Sequence, residues 1–213
     1  MLEYLTPEVK EDDDKDNHKL AIIQSQEPLD MADDKDFTLE EIRNAIESMG
    51  NKKASGEDGT TGEIYKGTLE IFPNYITAMY NECLRRGVLP ARWKRAKLIT
   101  ITKPGNENSE DVSKFRPISL FNTGGKVVQK VLIYRINHHI YCHDFMNTNQ
   151  YGFTLQRSIV DAAMAVKDFV EGLVAGELLV LVSLDVKGAV DAAWWPSILN
   201  SLKDCGCPKI YTT

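Results

Sequence analysis

Ala96-Lys97-Leu98-Ile99-Thr100-Ile101-Thr102-Lys103-Pro104-Gly105, and after a polar interval Phe115-Arg116-Pro117-Ile118-Ser119-Leu120, decide the fold class. The first run is built on Leu98, Ile99 and Ile101, residues that suit a pleated surface, and Pro104 ends it because proline has no N–H to give a neighbouring strand. Gly105 to Asp111 is turn-forming, so Arg116 to Leu120 returns as a second strand beside the first. The hairpin is basic, since Lys97, Lys103 and Arg116 all lie on it. Most of what surrounds it reads as helix, and the class is α+β.

Outward from the hairpin, Thr38-Leu39-Glu40-Glu41 is a capping box, with Thr38 as N-cap and Glu41 at the third helical position. Phe37 staples onto Ile42, the apolar face continues through Ala45, Ile46 and Met49, and Gly50 is expected to stop the helix. The stretch Asn51 to Gly62 is too rich in glycine and polar residues for regular structure, and its Lys52-Lys53 makes a cationic entrance. Pro73 opens a second helix and Gly87 closes it. Beyond the hairpin, Thr123 is expected to cap a helix that turns Val127, Val128, Val131, Leu132, Ile136 and Ile140 inward. Ser158-Ile159-Val160-Asp161 opens another, with Ala162, Val166, Phe169, Val170 and Leu173 inward. Pro196 begins a last short helix.

Leu178-Leu179-Val180-Leu181-Val182-Ser183-Leu184-Asp185 is a continuous apolar run ending in a carboxylate. Such a run suits a strand covered on both faces, which would deliver Asp185 to its C-terminal end. An Asp in that place holds a metal, orients a base, or only forms a turn or caps the next element.

The 213 residues, 43% apolar and 26% charged, exclude a collagen, a disulfide scaffold and a wholly disordered chain. No apolar run approaches the roughly 20 residues that span a bilayer, and the acidic N-terminus is the opposite of a secretory signal. Cys83, Cys142, Cys205 and Cys207 show no CxxC spacing, as expected of free thiols in a reducing compartment.

The net charge of -6 conceals an asymmetry: residues 1 to 36 carry 12 acids and 4 bases. With few large apolar residues that segment is expected to be a disordered lead-in or linker. Residues 85 to 135 hold 12 bases and 3 acids. Charge alone leaves two readings of that block open, a surface for a polyanion or a set of solvated surface bases.

The order of the motifs adds to this. Lys53-Ala54-Ser55-Gly56-Glu57-Asp58-Gly59, Pro90-Ala91-Arg92-Trp93-Lys94, Lys103-Pro104-Gly105, Phe115-Arg116-Pro117-Ile118-Ser119-Leu120, Gln150-Tyr151-Gly152-Phe153 with Ser158 and Asp161, and Ser183-Leu184-Asp185-Val186-Lys187-Gly188-Ala189 before Trp194-Trp195 run collinearly. In sequence and spacing they resemble the reverse transcriptases of non-long-terminal-repeat retrotransposons, the insect LINE-like elements most of all. The resemblance covers about residues 37 to 210.

It implies a right-hand polymerase, with residues 37–175 as fingers and residues 176–213 as an incomplete palm whose sheet starts at the Asp185 strand. Asp185 would be the first catalytic aspartate and would bind Mg²⁺ with help from the Val186 carbonyl. Lys103 and Arg116 would lie over the triphosphate of the incoming nucleotide, a point charge and a planar fork matching phosphate oxygens. Val190 stands where the family places an aromatic residue against the sugar, which puts sugar selection in question. Arg92, Lys94, Arg95 and Lys97 are the expected nucleic-acid contacts. Two further aspartates of the family site would come from a later Asp-Asp hairpin, and no Asp-Asp pair follows residue 34.

The resemblance therefore implies a fragment of an RNA-directed DNA polymerase, inactive by itself, whose partners are an RNA template, a DNA primer and deoxynucleoside triphosphates. If expressed, it would sit within the cell as a ribonucleoprotein of cytoplasm and nucleus, with no membrane partner. The alternative is a non-enzymatic nucleic-acid-binding remnant of such an element. His138, His139, Cys142 and His143, and Cys205 with Cys207, offer nitrogen and sulfur ligands, but no four-ligand zinc spacing joins them.

Overall fold

The computed structural model describes residues 22–23, 35–51, 53–105, 110–174, 178–186, 189 and 193–208. Among them are six α-helices of nine residues or more and one two-stranded antiparallel sheet. In chain order the elements are α1 (Leu39–Glu47), α2 (Gly62–Ile71), α3 (Pro73–Arg86), a 3₁₀ turn (Ala91–Lys94), β1 (Ala96–Thr102), a second 3₁₀ turn (Val112–Lys114), β2 (Phe115–Phe121), α4 (Thr123–Cys142), α5 (Ile159–Glu171) and α6 (Trp195–Asp204).

The core lies where α1, α2, α3 and α4 meet, and it is made of Phe37, Ile42, Ala45, Ile46, Leu69, Ile76, Tyr80, Val127, Val128 and Val131. Burying side chains of this size stabilises by roughly 1.5–3 kcal/mol each, which is what holds these short helices in place. The Thr38 capping box is complete, with Thr38 Oγ1 accepting from Glu41 N and Glu41 Oε2 accepting from Thr38 N at 2.8 Å. Both partners of the expected staple, Phe37 and Ile42, are buried. Asn81 fixes the entry to α1: its Oδ1 accepts from Phe37 N at 2.6 Å and its Nδ2 donates to Phe37 O at 3.0 Å.

Pro73 stands in the first turn of α3, and Gly87 ends the helix in the left-handed region at φ 61°. The hairpin forms with the register Ile99↔Ile118 and Ile101↔Arg116. Neither strand has a buried residue. It is a ribbon standing off the helical core, joined to it through the 3₁₀ turn and α4.

The structure differs from expectation in several places. Helix α1 ends at Glu47 with Ser48 as C-cap, short of Gly50, because Ser48 in the αR region bonds back to Asn44 and Ile46. Helix α2 lies after the glycine-rich loop, where the sequence reading has no helix, and is opened by Thr61, whose hydroxyl accepts from Ile64 N. The N-cap of α4 is Asn122, not Thr123. The Ser158 capping box forms as read, but α5 buries none of its residues, and Phe169 is 64% exposed. The apolar run 178–186 is irregular and exposed, so the start of a palm sheet expected there is not formed among the described residues. A strand needs a neighbour to pair its N–H and C=O groups, and the only ladder among the described residues is β1–β2. Most of the acidic lead-in, residues 1–21 and 24–34, lies outside the described residues.

Candidate nucleic-acid interface

Cross-strand partners in an antiparallel pair share a face, so Lys97, Ile99 and Ile101 stand on one side with Leu120, Ile118 and Arg116. Lys97 and Arg116 mark the two ends of that face, about 13 Å apart at four residues of strand rise. Lys103 follows β1 directly, and its N–H bonds to Lys114 O at 2.8 Å. Lys103, Lys114 and Arg116 thus gather at the turn end of the hairpin.

The Lys103 ammonium folds back onto the turn, donating to Ser113 O at 2.8 Å, which among the described residues leaves two of its three N–H donors for a ligand. Asp111 braces the same turn, accepting from Ser113 N at 2.9 Å and Ser113 Oγ at 2.7 Å. These two bonds, and then the neighbouring Lys114 and Lys103 charges, hold its carboxyl below the usual aspartate range. Arg116 is exposed.

Arg92, Lys94 and Arg95 are exposed on and after the first 3₁₀ turn, and Lys97 is exposed on β1. Trp93 faces the other way, its ring 5.4 Å from that of Tyr80. The turn can approach α4 this closely because Gly124 has no side chain: a Cβ there would lie 2.3 Å from Trp93 Cε2 and 2.5 Å from the Tyr65 hydroxyl. Burial pushes the Tyr80 hydroxyl well above the ordinary range for ionisation, so it stays a neutral donor, to Gly124 O at 3.4 Å.

Asn122, which sequence reasoning passes over, is 2% exposed and joins three segments. Its Oδ1 accepts from Asp58 N at 3.3 Å, and its Nδ2 donates to Arg92 O at 2.7 Å. Beside it, Thr123 Oγ1 donates to Thr60 O at 2.5 Å. The signal that could have found it is a polar pair between an apolar strand and an apolar helix.

Asp185 and Val186 are exposed on irregular backbone, and Val190 lies outside the described residues. Asp185 shares no hydrogen bond or ion pair with Lys103 or Arg116 among the described residues. Two dications about 3.5–4 Å apart need several anionic ligands between them. Among the described residues no three His, Cys, Asp or Glu side chains gather to hold a metal ion, so those residues do not fit a two-metal centre. His138, His139 and Cys142 late in α4, and His143 at its C-cap, serve contacts within the fold: His139 Nε2 lies 2.8 Å from Cys205 O, Cys142 Sγ lies 3.5 Å from His138 Nε2, and His143 Nδ1 lies 2.9 Å from His139 O.

The family described as Reverse transcriptase (RNA-dependent DNA polymerase) matches residues 101–213, from the later part of β1 onward. The chain is 30% identical over 203 residues to the RNA-directed DNA polymerase from mobile element jockey of Drosophila funebris, covering 92% of this chain and 22% of that protein. It is 27% identical over 193 residues to the putative 115 kDa protein in type-1 retrotransposable element R1DM of Drosophila melanogaster, covering 89% of this chain and 18% of that protein. The chain thus spans about a fifth of the length of these relatives.

Proposed function

Because the chain belongs to the reverse transcriptase family, with relatives among the polymerases of non-long-terminal-repeat retrotransposons, we propose that it supplies the nucleic-acid- and nucleotide-facing part of such an RNA-directed DNA polymerase. On this reading residues 37–175 belong to the fingers and residues 176–213 to the palm. The partners are an RNA template, a DNA primer and deoxynucleoside triphosphates.

The observation that carries the reading is the cluster at the turn end of the hairpin, where Lys103 and Lys114 are joined through the backbone and Arg116 stands one strand position from the turn. A lysine with two remaining donors and an exposed guanidinium can contact two oxygens of a phosphate chain. The charge on the ribbon is displayed on a two-stranded support, away from the core it would otherwise have to be desolvated against. On this reading Asp185 would contribute one carboxylate to the chemistry, and alone it is insufficient for polymerisation.

The test is primer extension on a primed RNA template with Mg²⁺ and deoxynucleotides. The chain alone is expected to extend nothing while still retaining labelled nucleic acid in a binding assay. Template-dependent extension that disappears in Asp185→Ala would overturn the inactivity, and absence of any nucleic-acid retention would overturn the interface.

A further inference from the structure

We infer that Asn122 is a positioning residue for polyanion binding. It holds the loop of residues 53–60 and the 3₁₀ turn Ala91–Lys94 in one arrangement, so that Lys53, Arg92 and Lys126 present a joint phosphate-contacting surface beside the hairpin. This rests on the nucleic-acid reading above and goes beyond it by naming what organises a second group of cations.

The chemistry begins with what a buried carboxamide offers. It has a donor and an acceptor fixed in one plane, and it reads one N–H and one C=O from two different segments without adding a charge. Asn122 does this for Asp58 N and Arg92 O, which lie 64 and 30 residues away in sequence. Losing either partner would leave a polar atom buried and unpaired, so the two segments hold their places together.

Packing enforces the same arrangement. A Cβ on Gly56 would stand 2.1 Å from Asn122 Oδ1 and 2.6 Å from its Cα and N, so the loop lies directly on the Asn122 backbone. One helical turn later, Lys126 Nζ donates to Ala54 O at 3.3 Å, which brings its ammonium to the loop that carries Lys53. Thr123 Oγ1 ties the far end of the loop through Thr60 O.

Around this clamp stand Lys53, Arg92, Lys94, Arg95 and Lys126, opposed by Glu57 and Asp58. Asp58 Oδ1 accepts from Thr60 N at 3.0 Å. The surface is net positive, and its cations come from three separate segments, so their spacing depends on the clamp.

The experiment measures binding of a labelled single-stranded RNA of mixed sequence across a range of salt, with the full chain, Asn122→Ala, Gly56→Ala and the double variant. Each single variant is expected to bind about five- to ten-fold more weakly at low salt, with the slope of log K against log salt shallower by about 0.7–1.4, one or two phosphate contacts on a single strand. Because both changes break the contact between Asn122 and the loop, the double variant should bind no worse than the weaker-binding single variant. Trypsin should cleave after Lys53 faster in both, while far-ultraviolet circular dichroism keeps a cooperative melt. Should Asn122→Ala fail to fold, Gly56→Ala carries the test from the other side of the contact.

A wild-type slope in folded variants would reduce Asn122 to a structural residue and overturn the inference alone. Additive losses in the double variant would overturn it as well. A wild-type chain with no salt-dependent affinity would overturn both this inference and the reading beneath it.

Discussion

Arg135 grips Glu41 across 94 residues of sequence with two parallel bonds, Nε to Oε1 at 2.6 Å and Nη2 to Oε2 at 2.7 Å. The guanidinium does more than pair a charge. It lies 4.7 Å from the centre of the Phe37 ring and donates to Lys35 O at 2.6 Å and Asp36 O at 2.8 Å. One side chain on α4 thus fastens α1 and the segment that leads into it. Arg85 holds the same segment from α3 through an ion pair with Asp36.

Arg135→Ala is therefore expected to destabilise the chain by about 2 kcal/mol, discounted for the solvent that reaches the Glu41 carboxylate. On a chain of this size that lowers Tm by about 4–8 °C. Arg135→Lys should recover little of it, because an ammonium cannot form the planar fork or cover the ring. Thermal melts of the three proteins check this, and an Arg135→Lys melt equal to wild type would show that charge alone matters.

The same pair sets a pH dependence. Hydrogen bonding to Arg135 outweighs the opposing effect of burial and holds the Glu41 carboxyl below its ordinary value of 4.5. A carboxyl with a lowered folded value stabilises the protein fully above its unfolded value and loses that contribution as pH falls below it towards the lowered value. Glu41→Gln keeps a side chain that can still complete the capping box and removes the titrating charge. Wild type should melt above Glu41→Gln at neutral pH, with the gap closing as pH falls below about 4.5. A gap that is constant across that range would place the stabilisation elsewhere.

Gly124 gives a sharper packing prediction. A methyl group there would meet the Trp93 ring and the Tyr65 hydroxyl far inside any non-bonded contact a Cβ makes, so the 3₁₀ turn must move off α4. Overpacking of this kind costs about 1–3 kcal/mol. Trp93 reports it directly: Gly124→Ala is expected to lower the melting temperature and shift the tryptophan emission to the red, whereas Gly67→Ala, at a site where a Cβ meets nothing within 4 Å, should do neither.

What was legible in the sequence was whatever local chemistry decides. Thr38 and Ser158 cap their helices, Pro73 opens one and Gly87 closes it, because each acts within a turn of itself. The hairpin was legible because β-branched residues, a proline and a polar turn agree on one register. Helix α2 was not, since Gly62, Ile64 and Thr68 are weak helix formers and its stability comes from seating Leu69 in the core. The run 178–186 has the composition of a buried strand, but a strand is a property of a pair, and the residues of one run say nothing about whether its partner is at hand. Of the expected site, Lys103 and Arg116 were readable as cations on a hairpin. Asn122 was missed because its partners are set by tertiary packing.

The role in nucleic-acid binding proposed for the hairpin makes the last prediction. Lys97, Lys103 and Arg116 lie on or directly beside a ribbon with no buried residue, so replacing them with Ala removes charge without opening the core. If each contacts one phosphate of a single strand, the slope of log K against log salt should become shallower by about 2 in the triple variant. Affinity should fall alike for strands of different sequence, since phosphate contacts carry no base information. Lys167 on α5 supplies the contrast, because it is exposed and cationic but is paired along its helix with Glu171 at 3.5 Å and stands on no such ribbon. Lys167→Ala should change neither affinity nor slope. Equal losses from Lys167→Ala and the hairpin variant would mean that the chain binds through net charge alone, and that the geometry of the ribbon is irrelevant to it.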